Sequence, residues 1–361
     1  MKYRMDEITE SCLGKMLDSK KNKGEYQPYL ANINVRWGSF DLNNLSLMRF
    51  EPNENDRYGI KYGDLIMCEG GEPGRCAIWR DELPNMKIQK ALHRIRPNTN
   101  LVDVEYLYYW FLLSGKNDLL RRHFTETTIK HLPGETLKQL VIDLPDMKIQ
   151  KNISTVLRSI DKKITVNEKI NDNLEQQLML LYDYWFTQFD FPDNDGNPYQ
   201  TSGGKMVWND TLKRNIPENW KVQSVISNCL SSIIKPGIEI FNTKTYLATA
   251  DVKGTSISTG FCGLQCNEIS FEYIASYVSN AYFEIHKDML AHGATQEAVN
   301  NDDLAGVHII IPEDTVLRAY HEATQAIYAQ ISKNICENQE LVKLRDWLLP
   351  MLMNGQATIS D

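Results

Sequence analysis

Two stretches of the 361-residue chain gather residue types that could do chemistry. The first is GDLIMCEGGEPGRCAIW, Gly63 to Trp79, with four glycines, two cysteines and an arginine between apolar runs. Such a segment could cradle a phosphate, ligate or exchange through its thiols, or turn tightly between two strands. A P-loop needs a lysine and a hydroxyl after its glycines, one to reach the phosphates and the other to coordinate magnesium. Here Gly70, Gly71 and Gly74 lead into Arg75 and Cys76. Dinucleotide binding needs GxGxxG opening a helix, whereas this segment continues as an apolar strand. Cys68 and Cys76 have seven residues between them, unlike zinc pairs or redox CxxC motifs. They are expected to be core residues of adjacent strands. The second stretch brings Cys262 and Cys266 near His286 and His292, but no tight ligand pair recurs downstream. Buried cysteines and surface histidines are the expectation there. GxSxG, HExxH and paired-carboxylate patterns are missing, and the seven histidines are scattered, so no catalytic centre is nominated.

The net charge of −8 argues against a uniformly basic nucleic-acid coat. It is unevenly placed: residues 1–135 carry 20 Lys and Arg against 19 Asp and Glu, and the remainder is net −9. Local patches in the first part could meet a phosphate backbone, namely Lys20, Lys21 and Lys23; Lys87, Lys90, Arg94 and Arg96; and Arg121, Arg122 and His123. A normally solvated mixed-charge surface is the competing reading. No run approaches the roughly 18 apolar residues of a membrane span, and no export signal is recognisable, so a cytoplasmic chain with an unprocessed Met1 and no membrane partner is expected. Seven scattered cysteines fit a reducing compartment. The length allows two or three domains of about 100–200 residues each.

The elements that would position these residues emerge from an internal repeat. An offset of 167 places VIDLP (Val141 to Pro145) over HIIIP (His308 to Pro312) and VDVEYLYYW (Val102 to Trp110) over ISFEYIASY (Ile269 to Tyr277). Upstream, YLANINV (Tyr29 to Val35) meets YLATADV (Tyr246 to Val252) only at an offset of 217. The second copy therefore lacks 50 residues, lost between Val252 and Ile269. Counterparts of Gly63 to Trp79 are among them.

In each copy a strand ends at the shared proline and a long helix follows. The first helix, about Lys151 to Phe186, places Leu157, Ile160, Ile164, Asn167, Asn171, Leu174, Leu178 and Leu181 at alternating spacings of three and four. The second repeats them as Thr324, Ile327, Ile331, Asn334, Asn338, Leu341, Arg345 and Leu348. This is a coiled-coil seam, about 50 Å long at ~1.5 Å per residue. An antiparallel, pseudo-twofold pairing would bring the asparagine layers together and fix register; ordinary helix packing is the alternative. Phe189 to Trp208, rich in glycine, proline and asparagine, reads as a linker. The first unit mixes short strands with a helix near Val104 to Leu113, which makes an α+β domain.

GDLIMCEGGEPGRCAIW, PYLANINVRWGSFDL (Pro28 to Leu42), IPENWKV (Ile216 to Val222) and above all LRDWLLPMLMNGQATI (Leu344 to Ile359) resemble the DNA specificity subunit of Type I restriction-modification systems. The resemblance covers nearly the whole chain. It implies an α+β fold with duplicated target-recognition domains and two long antiparallel coiled-coil spacer helices. Here the layout would be an intact first domain (1–145), a first spacer helix (146–188), a linker (189–215), a truncated second domain (216–312), and a second helix with tail (313–361). It further implies that the chain is not an enzyme by itself and addresses two adenine-methyltransferase subunits, which hold S-adenosylmethionine, and the restriction/translocase subunits to double-stranded DNA. Asn197-Pro198-Tyr199 misses a proline of the methyltransferase NPPY motif, in keeping with this.

Expected DNA-binding residues are Lys20, Lys21, Lys23, Arg121 and Arg122 on the backbone, and Arg36, Arg94 and Arg96 at bases or groove walls, with Trp37, Lys87 and Lys90 in the same loops. Trp185, Phe186, Trp347 and Leu348 are expected at the methyltransferase surface, or alternatively in intramolecular packing. Rival readings are a helical scaffold with little specific DNA affinity, which could self-associate, and then an independent enzyme.

Overall fold

The computed structural model describes the chain except residues 19, 127–129, 226–237, 242–243, 248–260, 265–270, 291–305 and 360–361, and describes only the backbone at 126, 238–241, 244–247, 261–264 and 287. It divides into two compact units, Met1–Ile164 with Glu340–Asp361, and Thr165–Gln339. Both mix strands and helices.

In the first unit, β1 (Lys2–Arg4) leads through α1 (Met5–Ile8) into β2 (Thr9–Leu13). Next come β3 (Glu25–Leu30), the short hairpin β4 (Val35–Arg36) and β5 (Ser39–Phe40), β6 (Ser46–Phe50) and α2 (Asn55–Tyr58). β7 (Leu65–Cys68) and β8 (Cys76–Ile78) form the strand-turn-strand expected of Gly63 to Trp79, pairing Leu65 with Ile78 and Met67 with Cys76. Both cysteines are free and buried. With β10 (Leu92–Pro97), these strands make a sheet in the order β2-β10-β7-β8. All of LIMC is buried because the sheet is covered on both faces: Leu65 and Met67 join one apolar cluster, Ile66 and Cys68 another. Period-two side-chain alternation thus serves two cores, so the strand reads as one apolar run. At the turn Gly74 has φ +96°, and a Cβ there would stand 2.7 Å from the Leu120 side chain, so glycine is required.

A second sheet, β6-β3-β9, includes β9 (Lys87–Ile88). α3 (Val104–Lys116) packs its aromatic face into the main cluster, and the Asp103 carboxylate caps it by accepting from the Tyr106 N–H at 2.9 Å. β11 (Thr125–Glu126) and β12 (Lys130–His131) pair, α4 (Gly134–Gln139) follows, and β13 (Val141–Asp143) returns to β1. α5 (Met147–Tyr182) then begins in this unit and continues into a π-helical turn, Asp183–Thr187.

His93 of β10 is 1% exposed, and its ring nitrogen Nε2 lies 2.9 Å from the Leu132 carbonyl. Burial holds its pKa below the ordinary histidine range, although the Leu132 carbonyl and Glu69 oppose this. As pH falls below about 6.5, the unfolded chain takes up this proton first. Stability is therefore complete above that pH and declines toward the lower folded-state pKa. His93→Gln is expected to flatten this acid limb in urea-midpoint measurements between about pH 7 and 5; an unchanged limb would exclude His93 as its source.

The second unit holds the hairpin β14 (Met206–Asn209) and β15 (Arg214–Pro217), and β16 (Lys221–Ser224). A three-stranded sheet follows from β17 (Ile238–Phe241), β18 (Lys244–Leu247) and β19 (Phe261–Leu264). Then come α6 (Phe271–Val278), α7 (Ala281–Leu290), β20 (His308–Ile311), paired with β16, and α8 (Asp314–Met353), whose last turns belong to the first unit. Phe189 and Phe191, placed by sequence in a linker, are buried here and packed on Trp220. The glycine- and proline-rich loop is anchored by aromatic rings that its composition conceals.

α3 and α6 begin 167 residues apart, as do α5 and α8, which is the offset of the sequence repeat. Tertiary hydrogen bonds recur at that offset as well. In the first unit the Tyr109 hydroxyl donates to Asp161 at 2.7 Å, and in the second Ser276 and Tyr328 share a hydrogen bond of 2.8 Å at the matching positions. Between Val252 and Ile269, where the sequence places the loss, only the backbone of β19 is described.

Candidate nucleic-acid interface

The seam positions on the two long helices are all buried or half-buried. In the second unit Asn167 donates through Nδ2 to Asn338 Oδ1 at 2.8 Å and to Glu337 at 2.7 Å, and Asn334 donates to Asn171 Oδ1 at 2.7 Å. Rising residue numbers on α5 meet falling ones on α8, so these segments run antiparallel. In the first unit Arg345 pairs with Asp161 at 2.8 Å, and Asp346 pairs with Lys116. Trp185 and Phe186 lie in the core of the second unit against Tyr320, which is the intramolecular packing expected as the alternative to a partner surface. Leu348 packs against the main cluster of the first unit, while Trp347 is 58% exposed.

The cations of the first unit separate into free and committed groups. Lys20 and Lys23, in the loop between β2 and β3, are exposed and make no ion pair among the described residues. Lys21 is exposed and stands 3.7 Å from Asp18. Lys90, Arg121 and Arg122 are also exposed, with the Arg122 Nε–H directed at His123. Arg36, on the β4–β5 hairpin, is exposed but donates to the Ile33 carbonyl at 2.6 Å.

Arg94, expected to read bases, is 1% exposed. Its Nη1 donates to the carbonyls of Asp56, Arg57 and Gly59 at 2.9, 3.0 and 3.0 Å, and its Nη2 meets Glu10 at 2.8 Å. It closes the C-terminal end of α2, whose last carbonyls have no intrahelical donors. Arg96 binds the buried Asp64 through two 2.7 Å contacts, and this raises its pKa. Lys87 is 4% exposed, donates to the Asn85 carbonyl at 3.0 Å, and has its pKa lowered by burial. Trp37 is half-buried: its indole N–H donates to Glu72 at 2.7 Å, and its ring lies against Gly115. The spacing of Lys87 to Arg96 resembles a basic loop, but most of these residues sit on strands whose side chains alternately enter the core.

Clustering of cations along the sequence misses Arg49, an isolated cation in β6. Its guanidinium lies 4.9 Å from the ring of the exposed Tyr26. Its place between the apolar Met48 and Phe50 was the available signal. No group of three or more His, Cys, Asp or Glu is arranged to hold a metal among the described residues, and no described helix is long and apolar enough to cross a membrane.

Residues 1–176 match the family model described as Type I restriction modification DNA specificity domain. The match spans just under half of the chain. The chain is 25% identical over 352 residues to the Type I restriction enzyme MjaIX specificity subunit of Methanocaldococcus jannaschii, covering 83% of this chain and 78% of that protein. It is 27% identical over 195 residues to the HindI specificity subunit of Haemophilus influenzae, covering 52% of this chain and only 42% of that protein. The Type I restriction-modification S subunit from M. genitalium shares the fold with a TM-score of 0.53 at 15% identity, covering 98% of this chain and 95% of that one. The chain is thus similar to Type I restriction-modification specificity subunits, and an α+β fold with long helices is what it shares with the M. genitalium structure.

Proposed function

We propose that this chain is the DNA-targeting specificity subunit of a Type I restriction-modification complex. It would deliver adenine-methyltransferase subunits, and with them restriction subunits, to a DNA sequence, without catalysing a reaction itself. The match of residues 1–176 to the DNA specificity domain carries this reading. The exposed Lys20, Lys21 and Lys23, with Lys90, Arg121 and Arg122, supply candidate phosphate contacts. In the same reading, the 167-residue recurrence reflects a duplicated recognition-domain architecture, and the paired helices act as its coiled-coil spacer. The second domain would be the shortened copy.

Binding of the chain and its methyltransferase partner to labelled duplexes over a range of salt tests the proposal. Replacing Lys20, Lys21 and Lys23 together by alanine is expected to weaken binding to every sequence. It should also make the salt dependence shallower by about 0.9 log unit per log salt for each phosphate that the lysines no longer neutralise. Unchanged affinity and slope would remove that loop from the interface. Assembly with the methyltransferase but no duplex binding would favour the scaffold reading.

A further inference from the structure

We propose that the solvent-facing side of the β3–β6 ribbon enters the DNA major groove, with Arg49 and Leu47 as specificity-determining residues and Tyr26 positioning Arg49. This rests on the specificity-subunit reading and deepens it. In the antiparallel register Tyr26 faces Arg49 and Pro28 faces Leu47, so these four side chains share one side of the ribbon. Tyr26 is 64% and Leu47 58% exposed, whereas Met48 and Phe50 on the opposite side are buried with Tyr29. β6 is the edge of its sheet. An edge ribbon with one anchored side and one solvated side suits a major groove, which admits two antiparallel strands. Stacking on Tyr26 would hold the Arg49 fork in place, as bidentate pairing with guanine requires, and Leu47 offers the apolar contact that a thymine methyl accepts.

The lysine loop adjoins the same end of the ribbon. Lys15 donates to the Arg49 carbonyl at 2.9 Å and pairs with Glu54 at 2.5 Å, tying the start of the loop to β6. At its other end Gly24 has φ +95° and lies so close to the Phe50 carbonyl that a Cβ would collide with it. Both ends of the lysine loop, at Lys15 and Gly24, therefore lie against β6 at Arg49 and Phe50. Residues 16–24 of the loop carry three lysines against one carboxylate, Asp18, which already accepts from the Lys20 and Lys21 backbone N–H groups at 3.0 and 3.1 Å. A net-positive loop anchored to the ribbon's edge strand, with Arg49 on the solvated side, is the complement of a polyanion.

Selection from randomised duplexes by the full-length chain in complex with its methyltransferase tests the proposal. Arg49→Ala and Leu47→Ser are each expected to erase the preference at one base position and to lower affinity for the selected site about 10–100-fold, with binding to unrelated duplex changed less than about twofold. Arg49→Lys retains the charge and should still lose the preference, because a single ammonium cannot reproduce the fork. Thermal melts of the variants verify that they fold. The same selected sequence for wild type and all three variants overturns the ribbon assignment while leaving the specificity-subunit reading intact. Loss of methyltransferase assembly at unchanged sequence preference would also overturn it, giving the face to a protein partner. A wild-type complex that selects no sequence would sink both.

Discussion

Arg94→Ala is expected to lower the stability of the first unit by about 2–4 kcal/mol. The magnitude follows from what the guanidinium holds rather than from its charge alone. Removing it leaves the carbonyls of Asp56, Arg57 and Gly59 without their donor and opens a cavity where a fully buried side chain stood. A buried acceptor left unsatisfied costs roughly 1–3 kcal/mol, and cavity formation adds to it. The ion pair with Glu10 contributes little of this, because the Glu10 side chain is 69% exposed and its carboxylate can return to water. Arg94→Lys should recover part of the loss, since one ammonium can satisfy some but not all three carbonyls. Urea unfolding of the full chain, followed by a probe in the first unit, measures the effect. A change below about 0.5 kcal/mol, the range of ordinary surface substitutions, would return Arg94 to the candidate base readers.

The second large effect is expected in the asparagine layers between α5 and α8. Asn171→Leu leaves the Nδ2 of buried Asn334 without its acceptor, at a cost of about 1–3 kcal/mol. Asn334→Leu likewise strands Asn171 Oδ1 and also removes the acceptor of Gln330 at 2.7 Å. The double substitution replaces both partners by apolar groups and should recover most of the loss, giving a coupling energy of about 1–3 kcal/mol in a double-mutant cycle. Additive single effects would show that the hydrogen bond does not couple the positions. If the layer sets register, the double variant should remain stable and yet assemble less uniformly, because leucines pack at several axial offsets whereas the amide pair fits at one.

These helices were the part of the molecule most legible from residues alone. A three-four spacing of apolar positions demands a single buried stripe, and every residue assigned to it is buried or half-buried. The asparagine pairing was legible for a related reason: when two stripes with the same polar spacing run antiparallel, each polar position of one can meet a polar position of the other, as Asn167 meets Asn338 and Asn171 meets Asn334. The turn from Gly63 to Trp79 could also be read, since its glycines lack the lysine and hydroxyl a phosphate site needs, and a turn between core strands remained. The cationic site was much less legible. Arg94, Arg96 and Lys87 share the residue types and clustering of Lys20, Lys21 and Lys23, but the former group lies on strands whose backs face the core.

Local physics therefore determined the strand-turn-strand, the N-capped α3, the long amphipathic helices and their polar layers, because each depends on periodicity or on residues near in sequence. Only the tertiary structure decided which cations face solvent. Glu10, Asp56, Asp64 and Gly59 reach Arg94 or Arg96 from distant parts of the chain, and those partners convert a basic run into internal struts. It also decided that Tyr26 and Arg49, 23 residues apart in sequence, stand opposite one another on adjacent strands. Strand pairing creates that juxtaposition, and no linear spacing encodes it.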